Sequence, residues 1–166
     1  MGSFERLKSE FDKLKGSEEL KEYLKTHEGA YFVSAFLISG FDSLETAPWI
    51  LEYYWPENGK VATFSFDTAW KVTDDDNVMQ KERKMLEELD FEIVKFDDPV
   101  GKVKEEFKGE SPLKMIVILN SQNKSPMWNI TVFTRSFKVV NFKIDAVTGK
   151  TESSKVDNLL QFQKKD

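Results

Sequence analysis

The chain carries the same strand pattern twice. Pro48-Trp49-Ile50-Leu51-Glu52-Tyr53-Tyr54 leads through a turn into Lys60-Val61-Ala62-Thr63-Phe64-Ser65-Phe66-Asp67. Further on, Pro126-Met127-Trp128-Asn129-Ile130-Thr131-Val132-Phe133 leads into Lys138-Val139-Val140-Asn141-Phe142-Lys143-Ile144-Asp145. Trp49 to Asp67 spans 18 positions and Trp128 to Asp145 spans 17. A duplicated unit says how the chain divides before any single residue is interpreted.

Apolar stripes extend the pattern backwards. Phe4, Leu7, Phe11 and Leu14 recur at helical spacing, and Leu20, Tyr23 and Leu24 follow behind Ser17, a candidate N-cap. In the second half Val78, Glu82, Met85 and Leu89 mark a third helix, opened by Asp74-Asp75-Asp76-Asn77. Asp98-Pro99 starts a fourth, with Asp as N-cap, Pro at the first helical position, and Val100, Val103 and Phe107 facing inward. Strands are expected at 30–38 and 113–119, and Pro56-Glu57-Asn58-Gly59 is a hairpin turn. The order reads helix, helix, three strands, twice. It predicts an α+β fold of two helix-helix-β-β-β units, residues 1–75 and 76–150, each an antiparallel sheet backed by helices. Residues 151–166 are expected as a C-terminal tail or short helix packing as a lid or edge.

Of 166 residues, 40% are hydrophobic and 32% charged, a globular balance with 14 Phe, 4 Trp and 4 Tyr available to cover sheet faces. The formal charge of −5 leaves no basic excess for neutralising phosphates, so nucleic acid is not an expected partner. There is no cysteine, which removes disulfides, thiolate catalysis and Cys-ligated zinc or iron–sulfur clusters. No run approaches the ~20 apolar residues of a membrane helix, and Met1-Gly2-Ser3-Phe4-Glu5-Arg6 has no apolar leader core. The expected setting is cytoplasmic, without a membrane partner.

The second unit resembles a PepSY-type domain, a small α+β module with a helix on a three-stranded antiparallel sheet. The resemblance rests on Trp128-Asn129-Ile130-Thr131-Val132, then on Val139 to Lys150, closing with Ile144-Asp145-Ala146-Val147-Thr148-Gly149-Lys150. Asp145 can cap its own turn, and Gly149 can take a positive φ. The first unit keeps the Asp in Asp67-Thr68-Ala69-Trp70 and loses the glycine. The resemblance implies a tandem of two such units and a binding or regulatory module, with a possible bearing on proteases.

Reaction chemistry is sparse. His27 is the only histidine and stands where a helix C-cap is expected, so no Ser-His-Asp or His-based metal set can be assembled. Asp74-Asp75-Asp76-Asn77 lacks the alternate ligands, glycine and distal Glu of a calcium loop. No Gly-rich phosphate motif is present. The expectation is therefore no catalytic residue, no metal and no cofactor. Aromatic side chains on the strands remain: Trp49, Tyr53, Trp55 and Trp70 on one unit, Trp128 and Phe133 on the other. Consecutive aromatics such as Tyr53-Tyr54-Trp55 must point to both sheet faces. They suggest a cleft for a protein, a peptide or a small apolar ligand. The alternatives are an assembly protein, forming homodimers through exposed sheet edges and aromatic patches, and a carboxylate-based enzyme.

Overall fold

The computed structural model describes residues 3–77, 85–107 and 111–158. Two helices come first, α1 (Ser3–Lys15) and α2 (Glu18–Thr26). They are followed by β1 (Tyr31–Gly40), β2 (Ile50–Trp55), β3 (Lys60–Phe66) and β4 (Trp70–Asn77). The second half has α3 (Pro99–Glu106), then β5 (Pro112–Gln122), β6 (Ser125–Thr134), β7 (Lys138–Asp145) and β8 (Thr151–Asn158). All eight strands form one antiparallel sheet in the order β4-β3-β2-β1-β5-β6-β7-β8.

This overturns the expected pair of helix-helix-β-β-β units. Each half contributes four strands, and the two meanders join edge to edge where β1 pairs with β5, from Ser34 opposite Asn120 to Gly40 opposite Lys114. The expected third helix is also corrected. Asp74 to Asn77 does not open a helix but ends β4, an edge strand paired to β3 from Phe66–Trp70 to Lys60–Asn77. An edge strand has only one neighbour to satisfy and tolerates charge on its free side. Val78 and Glu82 lie outside the described residues, and Met85 to Asp90 is irregular. Among the described residues the second half therefore has one helix, α3. In the expected tail, Thr151–Asn158 forms no short helix but strand β8, paired along β7 at the edge of the sheet, while residues 159–166 lie outside the described residues.

The helices lie on one face of the sheet. Along β6 burial alternates strictly, with Trp128, Ile130, Val132 and Thr134 inside, as period-two side chains require. Met115, Val117 and Leu119 on β5 and Val140, Phe142 and Ile144 on β7 join them. Ala35, Leu37, Leu51 and Phe64 continue the core across the first half, where Phe4, Leu7, Leu14, Leu20 and Tyr23 of α1 and α2 cover it. Ser17 caps α2, its Oγ accepting from Leu20 N at 3.1 Å, and Asp98 caps α3, accepting from Gly101 N at 3.1 Å. The opposite sheet face is less covered. There Phe36, opposite Ile50 and Ile118, is half-buried, and Ile38, opposite Ile116, is 48% exposed. Among the described residues no helix is long and apolar enough to cross a membrane.

Candidate ligand-binding groove

Residues 85–98 have no regular structure beyond a single 3-10 turn at Phe91–Ile93, yet they are held at many points. Tyr31 Oη donates to Leu86 O at 2.6 Å, and Leu89 N donates to Phe32 O at 2.9 Å. The Glu87 carboxylate accepts from Ser121 Oγ at 2.9 Å, Asn123 N at 3.0 Å and Lys124 N at 2.6 Å. It thereby caps the β5–β6 turn, whose two central residues Asn123 and Lys124 have φ of 52° and 65°. These donors hold the Glu87 carboxyl below its ordinary pKa, the Lys124 N–H contributing most. Further along, Lys95 N and Phe96 N both donate to Ala146 O, at 2.9 and 2.8 Å, and Trp128 Nε1 donates to Phe96 O at 3.0 Å. An irregular segment needs such partners, because its backbone groups are not satisfied by a ladder of its own.

The Ala146 end of this strap is fixed by the Asp145–Lys150 turn. Asp145 Oδ1 accepts from Val147 N at 2.7 Å and Thr148 N at 3.0 Å, and Gly149 has φ +79°. Gly149 also lies against Phe96: a Cβ there would sit 2.8 Å from Phe96 Cδ1. Lys102 Nζ donates to Gly149 O. The turn therefore ties β7 to both the strap and α3.

Between α1 and the strap lies a groove of about 880 Å³. Its floor is aromatic. Phe11 sits 4.5 Å from Phe32 and 4.7 Å from Phe91, and Phe32 sits 5.6 Å from Tyr53, measured between ring centres. Leu24 of α2, expected on the inner face of its helix, is 38% exposed and borders the groove. Lys8, Asp12 and Lys15 line the α1 side, and Glu88, Asp90, Glu92 and Lys95 line the strap side. Tyr53 is buried and lines the groove. Burial, and secondly the nearby Glu88 charge, push its pKa up to about 12. The phenol is thus a neutral donor throughout the physiological range.

Of the six aromatic residues singled out from sequence, only Tyr53 lines this groove. Trp49 and Trp128 are each 1% exposed and belong to the core. Trp55 donates through Nε1 to Glu28 O at 3.1 Å and meets the His27 ring edge-on at 4.5 Å. Trp70 packs on Phe66 at 5.2 Å on the β3–β4 edge. Phe133 lies on the other sheet face, under Lys114 Nζ at 5.6 Å. The six do not converge. The other floor residues, Phe11, Phe32 and Phe91, were legible only as helix or strand apolar positions, since what opens them is the path of the strap.

Other polar groups serve the framework, although Glu10 Oε2 and Trp49 Nε1 are buried without a hydrogen-bond partner among the described residues. His27 is the C-cap of α2, with Nδ1 2.8 Å from Tyr23 O and its ring stacked on Tyr23 at 4.0 Å. Arg6 donates to Ala47 O at 2.6 Å and Leu44 O at 3.0 Å, fastening α1 to the β1–β2 connection. Glu10, 3.8 Å from Arg6, has its carboxyl pushed up by burial, with Arg6 opposing. Among the described residues no cluster of His, Asp and Glu is arranged to hold a metal.

A single helix-backed antiparallel sheet with a groove at one end is the class this geometry defines. No protein-family model matches the chain, and no curated protein matches it. It is similar to the crystal structure of a Clostridium difficile 630 protein described as a candidate lipoprotein, with a TM-score of 0.51 at 10% identity. The match covers 84% of this chain and 91% of that one. At such identity the likeness is one of fold alone.

Proposed function

We propose that this protein is a non-enzymatic binding protein whose ligand occupies the groove between α1 and the strap. The observation that carries this reading is the aromatic floor. Phe11, Phe32, Tyr53 and Phe91 meet at the base of an 880 Å³ opening, a size within the range of roughly 300–1,000 Å³ for ligand sites. The Tyr53 phenol adds a neutral hydroxyl to this lining. The experiment is amide chemical-shift mapping against a library of metabolites and short peptides. A binder should shift Phe32, Tyr53 and Phe91 together. A library without one binder at these residues would remove the reading.

A regulatory role toward proteases draws its support from the PepSY-like turn at Asp145 to Lys150. A peptidase panel assayed with and without the protein tests it, and unchanged activity throughout would end it. Homo-assembly is the competing reading, favoured by the stripe of half-buried Phe36, Ile116 and Ile118 with exposed Ile38 on the opposite sheet face. A mass that stays monomeric as concentration rises counts against it.

A further inference from the structure

The two walls of the groove differ in charge. On α1, Lys8 and Lys15 lie seven residues apart on one helical face, with Asp12 between them. On the strap, Glu88, Asp90 and Glu92 line the groove, accompanied by Lys95. Some of these charges are already engaged. Asp90 Oδ1 accepts from Glu92 N at 2.9 Å, and Lys95 Nζ donates to Glu92 O at 3.2 Å. Lys15 Nζ lies 5.4 Å from the Phe11 ring centre, at the border between wall and floor. Glu88 is close enough to Tyr53 to oppose its ionisation. The groove therefore has a side with a basic excess, Lys8 and Lys15 against Asp12, a side with an acidic excess, Glu88, Asp90 and Glu92 against Lys95, and an aromatic floor between.

Resting on the groove reading above, we infer that the occupant is a short peptide with both termini free and an apolar side chain. A carboxylate suits the α1 wall, an ammonium suits the strap wall, and an aromatic or aliphatic side chain suits the Phe11–Phe32–Phe91 floor. A purely anionic ligand would meet Glu88 and Glu92, and a purely cationic one would meet Lys8 and Lys15. Like-charge contact of that kind selects against both. The volume exceeds what one amino acid fills, which favours a peptide over a free amino acid.

The test uses four forms of one dipeptide, Ala-Phe: unmodified, N-acetylated, C-amidated and blocked at both ends. Titration calorimetry on the whole chain reads their affinities, and amide shifts locate them. The unmodified form should bind about three- to five-fold more tightly than either singly blocked form, as expected for exposed ion pairs. Added salt should shrink the difference. Lys15→Ala should abolish the preference for a free carboxylate and leave the preference for a free ammonium. Glu88→Gln should do the reverse. A structural role for either residue would instead weaken all four probes equally. Equal affinity of all four forms at the groove would overturn the inference and leave the groove reading standing. No shift at Phe32, Tyr53 or Phe91 with any form would overturn both.

Discussion

Replacing Gly149 by Ala attacks the strap at its anchor, and the structure separates two costs. Gly149 has φ +79°, so any Cβ brings the left-handed penalty of about 1–2 kcal/mol. The added Cβ also falls 2.8 Å from Phe96 Cδ1 and 3.1 Å from Cγ, closer than van der Waals contact. Forcing that ring aside should add about 1–3 kcal/mol, the usual cost of overpacking. Gly59 provides the control, since it has φ +70° but nothing within 4 Å of its Cβ position. Gly59→Ala should show the backbone cost alone. Urea denaturation followed by Trp fluorescence measures both. With a slope of about 2 kcal/mol/M, the Gly149 variant should unfold about 1 M earlier than the Gly59 variant. A Gly149→Ala/Phe96→Ala double variant should lose less than the sum of the single changes, because the clash is gone. The reasoning is refuted if Gly149→Ala costs no more than Gly59→Ala, or if the double variant is simply additive.

Three further outcomes follow from particular contacts. Tyr53 keeps its proton to a pH of about 12 in the fold against 10 when unfolded, so stability should be unaffected at neutral pH and fall between those values. The full loss is about 3 kcal/mol; Tyr53→Phe should remove this part of the alkaline decline, and an unchanged decline in guanidinium midpoints would contradict it. Glu87 has a lowered pKa, so its contribution is present above its ordinary value of 4.5 and lost as pH falls through the lower folded value. The midpoint difference between wild type and Glu87→Gln should therefore narrow on acidification, and a difference independent of pH would count against the cap. Ser17→Ala removes the acceptor for Leu20 N and should cost about 1 kcal/mol in thermal or chemical denaturation.

Local features were legible in the sequence to the extent that short-range chemistry decides them. Asp98-Pro99 starts a helix because its carboxylate and ring satisfy the first turn within three residues. Asp145 and Gly149 shape their turn for the same kind of reason. Asp74 to Asn77 misled because a run of short polar residues suits a helix N-terminus, whereas pairing with β3 makes this segment the end of an edge strand. The expected short helix in the tail misled because pairing with β7, not local spacing, decides the outcome for 151–158. The β1–β5 pairing that fuses the halves joins residues more than seventy positions apart, and strand pairing across such a separation leaves no local pattern. The groove escaped detection for a related reason. Its floor rings look like ordinary core positions, and its walls come from α1 and from a strap whose residues have no periodicity.

The central claim is that ligand recognition occurs on the aromatic floor and not on the open sheet face. Intermolecular NOEs between a bound, isotope-labelled Ala-Phe and the protein test this directly. The account predicts contacts from the ligand's ring to Phe11, Phe32, Tyr53 and Phe91. Contacts to Phe36, Ile38 and Ile118 in their place would contradict it.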